Sequence, residues 1–315
     1  MTLMKSCLMH CSTLALVLLT ATSYAQEERW YQVELLIFSH ESGATAEQWE
    51  PLPALSYPKN GRFLIHPELV KSRAGAHGGI SNVDELGLQT IRPEPENPAA
   101  DIPQQGTPGA ESAAPVTPTP FIALPQRTAE FYGKAAYMQR SGNYKTLFHE
   151  TWVQPVADEN TAIPLVIDRS GDSGEWPRLQ GTVKLHIARY LHIDTNLWLN
   201  TQGQYLPGQW RMPAPPLGPL SLIIEEPEPE TPYYVSRNDN APLQNTGIDG
   251  ELLPEETGPV YPWRHAVLLQ QKRRMRSKEV HYIDHPLIGV VIKFMPLDEE
   301  QLQEMADAEF SDGPA

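Results

Sequence analysis

Two histidines four residues apart with an aspartate between them, His281, Asp284 and His285 in EVHYIDHPLIGVVIKFMP, are the most chemistry-like cluster in the chain. On a zinc-protease helix, two histidines at this spacing share a face and a glutamate stands beside them as base. Here the intervening residues are Tyr282, Ile283 and Asp284, and Pro286 follows at once, which argues against a helix. In a hairpin, His281 sits mid-strand while Asp284 and His285 sit at the turn, where aspartate commonly bonds its own backbone. His149, His186 and His192 are the other histidines that could converge with them. A metal site needs three or four ligands in fixed geometry, and no HxH or DxD pair supplies a start, so no metal and no cofactor is expected. There is no GxSxG elbow, no catalytic cysteine and no phosphate-cradling glycine loop. These absences point away from an enzyme.

A binding surface remains. Sugar rings present apolar faces that stack on aromatic rings, and their hydroxyls pair with Asp, Asn, Arg and Trp side chains. In GTVKLHIARYLHIDTNLWLN, residues 181–200, Tyr190, His192, Asp194, Asn196 and Trp198 alternate with an apolar series and would stand in one row on a strand. They are the candidate glycan-binding residues. The alternative is that the row is buried against a second element and its aromatics are core. The run Lys272-Arg273-Arg274-Met275-Arg276 contrasts with an otherwise acidic chain. Arg273, Arg274 and Arg276 are candidates for peptide-stem carboxylates, which arginine binds bidentately; the alternative is a solvated strand edge that discourages pairing.

The elements that must carry these residues are legible from periodicity. RWYQVELLIFSH (29–40) alternates, with Tyr31, Val33, Leu35 and Ile37 on one face, and predicts a strand. RTAEFYGKAAYMQRSG predicts a helix with Phe131, Ala135 and Met138 on one face, Thr128 as its cap and Gly142 at its stop. YKTLFHETWVQPV (144–156) predicts a strand. The 181–200 pattern exceeds the usual strand length, so a bulge or bend near Arg189, or a turn at Asp194 to Asn196, is expected to divide it. Two antiparallel strands joined at Asp284-His285-Pro286 follow, and Asp298 with Gln301 predicts a capping box that opens a terminal helix. The expected class is α+β, mostly antiparallel β-sheet with one or two packed helices and Pro-rich disordered insertions.

Composition sets the frame. The chain has 315 residues and 31 prolines, and the prolines crowd into two segments. Residues 1–25 read as a cleaved signal peptide: Lys5 is the only charge, an apolar run from Leu14 to Leu19 follows, and Ser23-Tyr24-Ala25 fits the small-x-small rule. That run is too short to span a bilayer. Cys7 and Cys11 both lie inside the leader, so the mature chain would have no disulfide to lean on. Loss of Lys5 takes the net charge from −15 to −16, which excludes nucleic acid and anionic lipid as ready partners. The expected organisation is one β-rich domain in three parts, 26–91, 126–205 and 263–310, the last holding the hairpin and short helix. A Pro-rich disordered insertion at 92–125 and a Pro-rich, partly ordered one at 206–262 interrupt it. In the second insertion, SLIIEE predicts a short strand.

The stretches RWYQVELLIFSH with EQWEP, then ARYLHIDTNLWL, and finally RRMRSKEVHYIDHPLIGVVIKFMPL resemble the CsiV family, periplasmic peptidoglycan-binding proteins of Gram-negative bacteria. The resemblance implies export, a non-enzymatic role in binding the wall, and support of a class A penicillin-binding protein through its outer-membrane lipoprotein activator. It implies no particular binding residues. An envelope adaptor that binds only protein partners, and a metal-dependent hydrolase, are the alternative readings.

Overall fold

The structure is a computed structural model that describes residues 29–41, 49–50, 53–84, 86–93, 117–168, 177–202, 222–225, 263 and 265–311. The expected leader and most of both proline-rich segments lie outside the described residues.

The strand predicted at 29–40 is β1 (Arg29–His40), and it forms the centre of the first sheet. Its partners are β4 (Tyr144–Val156) on one side and β11 (Ile288–Pro296) on the other, with β10 (Val280–Asp284) outside β11; all pair antiparallel. A second antiparallel sheet has the order β5 (Pro164–Val166), β6 (Leu179–Ile187), β7 (Leu191–Thr201), β9 (His265–Met275). Alternation gives each sheet one apolar face. Val33, Leu35 and Ile37 meet Val290 and Ile292 from the first sheet and Val183, Leu185, Ile193 and Leu197 from the second in one buried cluster. The class is therefore α+β with a core between two antiparallel sheets.

The long alternating pattern folds as a hairpin. The chain turns at residues 188–190, around Arg189, and Leu185 then faces Ile193 across the ladder. The apolar series keeps one face on both arms because the turn preserves the alternation. β9 was not predicted as a strand in its own right, since its second half, QQKRRM, is polar; among the described residues it is an edge strand paired with β7. A three-stranded sheet of β2 (Ile80–Val83), β3 (Gln89–Arg92) and β8 (Leu222–Ile224) stands apart, with β8 in the expected SLIIEE strand. Helix α1 (Pro67–His77) buries none of its residues, which explains why no apolar stripe announced it.

Helix α2 (Tyr132–Arg140) packs Ala135 and Met138, with Phe131 ahead of it, on Leu36 and Phe38 of β1. Thr128 does not cap it. Thr128 closes a 3-10 turn, Gln126–Thr128, with Oγ1 donating to the Pro125 carbonyl at 2.7 Å. The N–H groups of Glu130 and Phe131 instead donate to the Glu34 carboxylate of β1, at 2.8 and 2.7 Å. Gly142 follows the helix with φ of 74°, a left-handed conformation suited to glycine.

Residues 117–125, expected in the disordered insertion, are laid into the fold. Phe121 is buried, Ile122 bridges Ile65, and Ala123 bridges Trp152 of β4. Arg62 bridges Leu165 of β5 in the same way. These segments tie the β4 and β5 edges together on one side of the sandwich. On the opposite side, the edges of β9 and β10 carry no further strand among the described residues.

The terminal helix α3 (Glu299–Ser311) opens as predicted. The Gln301 amide donates to Asp298 Oδ1 at 2.9 Å and the Asp298 amide donates to Gln301 Oε1 at 3.1 Å, while Leu302 and Met305 pack on Trp30 and Val153. Asp298→Ala should cost about 1 kcal/mol, read as a lower urea midpoint with an unchanged slope.

Candidate functional site: the open edge of the sandwich

β9 runs from the second sheet directly into the turn at 276–279 and then into β10 of the first, so the basic run lies where the two open edges meet. A groove of ≈ 350 Å³ there is lined by Lys272, Arg273, Arg274, Met275, His281 and Tyr282. Successive side chains of a strand alternate, which places Arg273 and Arg274 on opposite faces of β9. Arg273 Nη1 donates to the Tyr282 carbonyl at 3.0 Å. The Arg274 guanidinium lies over the Tyr190 ring, 3.3 Å from its centroid, a cation–π contact that orients it.

The cations differ in what they already hold. Lys272 is bonded to Glu159 at 2.6 Å, a contact that raises its pKa, and Arg276 pairs with Glu279 at 3.5 Å. Arg273 and Arg274 have no carboxylate partner among the described residues. The three arginines proposed from sequence therefore separate into two unpaired ones and Arg276, which the turn has already engaged.

The row proposed for glycan is corrected by the fold. Trp198 is fully buried and cannot stack on a sugar: Tyr57 stands edge-on to it at 5.1 Å, and Leu55 and Leu268 close around it. Tyr57 is fixed there by donating its hydroxyl to Asp168 and accepting from Gln180; burial first and then Asp168 push its pKa up. Asn196 donates to the Ser56 carbonyl at 3.2 Å and accepts from Gln270 at 2.8 Å. Asp194 is held by His186 at 3.2 Å and Lys184 at 3.6 Å. Of the five residues, Tyr190 stands beside the groove in the turn, and His192 and Asp194 lie opposite Arg274 and Lys272 in register.

The histidines do not gather into one centre. His281 Nε2 lies 2.9 Å from both the amide nitrogen and the carbonyl oxygen of Arg276, Asp284 accepts from the Tyr282 hydroxyl at 2.8 Å, and His285 Nδ1 accepts from the Leu287 amide at 3.2 Å. Each serves its own turn. His149 pairs with Glu34 at 3.0 Å in the same sheet as β10, whereas His186 and His192 stack at 5.1 Å in the other. Glu159, His186 and Asp194 do offer ligand atoms within 4.8 Å of one another, but Lys272 and Lys184 already neutralise the two carboxylates, so the cluster works as an ion-pair network. Contrary to the expectation that the chain holds no Ser-x-x-Lys pair, Ser56 and Lys59 have that acyl-transfer spacing. They lie in extended chain and a turn, both exposed, without the helix that brings such residues together.

What the groove can do chemically is bind anions beside an aromatic ring. The sequence model of a family described as "Peptidoglycan-binding protein, CsiV" matches residues 11–297. The chain belongs to the CsiV family. No curated protein and no solved structure matches it. The CsiV match runs from before β1 to the end of β11 and so includes both sheets and the basic groove. Peptidoglycan, the ligand in the family's description, carries carboxylates on its peptide stems, and the CsiV chain leaves Arg273 and Arg274 exposed on β9. Among the described residues, no helix is long and apolar enough to cross a membrane.

Proposed function

We propose that this chain is an exported periplasmic protein that binds peptidoglycan without cleaving it, and that it supports wall synthesis by a class A penicillin-binding protein and the lipoprotein activator of that enzyme. Family membership supports the ligand, the leader-like residues 1–25 support export, and the sequence resemblance supports the synthase and its activator. The observation that carries the site is the pair Arg273 and Arg274, without carboxylate partners among the described residues on a chain of net charge −15. Unpaired guanidinium groups on so acidic a surface are suited to an anionic ligand.

The test is sedimentation with purified sacculi, followed by mass analysis of the supernatant. The expected result is that the protein pellets with the sacculi and releases no muropeptides. Protein left in the supernatant overturns the binding reading, and released fragments overturn the non-enzymatic one. A second reading, a strand-adding protein partner, is favoured by the open β10 edge, where Val280 and Tyr282 are exposed. It wins if the synthase or the lipoprotein is retained by the protein while sacculi are not.

A further inference from the structure

We propose that the groove between α2 and β4 is a second binding site, one that takes the uncharged N-acetylhexosamine backbone of the wall polymer; this rests on the peptidoglycan-binding reading above. The groove measures ≈ 300 Å³, and Tyr132 and Gln139 of α2 face Thr146 of β4 across it. Its chemistry differs from that of the basic groove: no lysine or arginine lines it, and Glu150, the one acidic residue along it, stands opposite Leu35 on the other face of β4.

The Tyr132 hydroxyl, the Gln139 amide and the Thr146 hydroxyl make no hydrogen bond to any described residue. The Tyr132 ring is 48% exposed and supplies an apolar plane beside them, the combination a pyranose ring requires. The walls are also fixed in advance. α2 is held on β1 by the Glu34 carboxylate and by Phe131 and Ala135, and the half-buried Glu150 lies 3.4 Å from His66. A preformed groove loses little entropy when a ligand enters.

Each groove has one wall on the first sheet. β4 and β10 are its two edges, separated by three interstrand spacings, about 14 Å. Tyr282 of the basic groove stacks on Phe38, on the face that α2 covers. The alternation of neutral sugars and anionic stems in the polymer is thereby met by a neutral groove and a basic one.

The probe is a β-1,4-linked N-acetylglucosamine tetramer, which carries no stem and no charge. Titrated into the full chain, it is expected to shift the backbone amide resonances of Tyr132, Gln139 and Thr146 and to leave those of Arg273 and Arg274 in place. Tyr132→Ala and Gln139→Ala, both at exposed positions, should each weaken tetramer binding about tenfold with thermal unfolding unchanged. If wild type pellets with sacculi while the tetramer shifts no resonance of the α2–β4 groove, the second site is refuted and the proposed function stands. If wild type does not pellet, the proposed function fails and this inference with it. Should a variant not fold, the wild-type resonance map decides alone.

Discussion

Glu34→Ala is expected to destabilise the protein by about 3–5 kcal/mol, the range for stripping a buried acceptor from several donors at once. Glu34 is buried in the middle of β1 and is shared by the N–H groups of Glu130 and Phe131 and by the His149 ring. Truncation leaves those donors facing an apolar void and frees the start of α2, whose own sequence supplies no side-chain cap. With each kcal/mol worth about 2–4 °C in a domain of this size, the melting temperature should drop by about 10 °C. Burial by itself pushes the Glu34 carboxyl up, but the hydrogen bonds from His149, Phe131 and Glu130 outweigh it, and the pKa lies below 4.5. A carboxyl with a depressed folded-state pKa contributes its full stability above its unfolded value and loses it as the pH falls toward the folded one. The difference between wild type and Glu34→Ala should therefore be largest at neutral pH and shrink below about pH 4.5. An equal difference at pH 7 and pH 3 in urea unfolding would show that the carboxylate is not the source.

This residue also shows where sequence reading reaches its limit. Glu34 looked like an ordinary polar position on the alternate face of β1, and nothing local connects it to a helix start ninety-odd positions away. The capping box at Asp298 and Gln301 was legible because both partners lie within one turn. Likewise, the apolar series of β6 and β7 predicted the core face, since alternation is a local property that survives the turn at Arg189. Whether the other face is open to ligand is decided by what packs on it. His192 and Trp198 share the pattern, but only Trp198 is covered, by Tyr57 and Leu55 arriving from more than a hundred positions away. The basic run was legible as charge. Its separation into paired Lys272 and Arg276 and unpaired Arg273 and Arg274 depends on where Glu159 and Glu279 come to lie.

Replacing Arg273 and Arg274 together by alanine should weaken binding to sacculi about a hundredfold, each charge-assisted contact at a solvated edge being worth about 1.4 kcal/mol. Both side chains are exposed on an edge strand, so the core is untouched and thermal unfolding should move little. Arg276→Ala should change affinity less than about threefold, because Glu279 already engages that guanidinium and an exposed pair contributes little in either state. Arg274→Lys separates charge from geometry: it keeps the cation but loses the planar fork and the fit over Tyr190. If bidentate capture of stem carboxylates is the mechanism, Arg274→Lys should resemble Arg274→Ala more than wild type. Because the contacts are ionic and exposed, wild-type affinity should fall as salt rises, and the double variant should lose most of that dependence. Binding of the double variant at wild-type strength and with wild-type salt dependence would remove the β9–β10 groove from the ligand's path. Loss of sacculus binding with tetramer binding retained would instead assign the two arginines to the stems and leave the glycan to the groove beside α2.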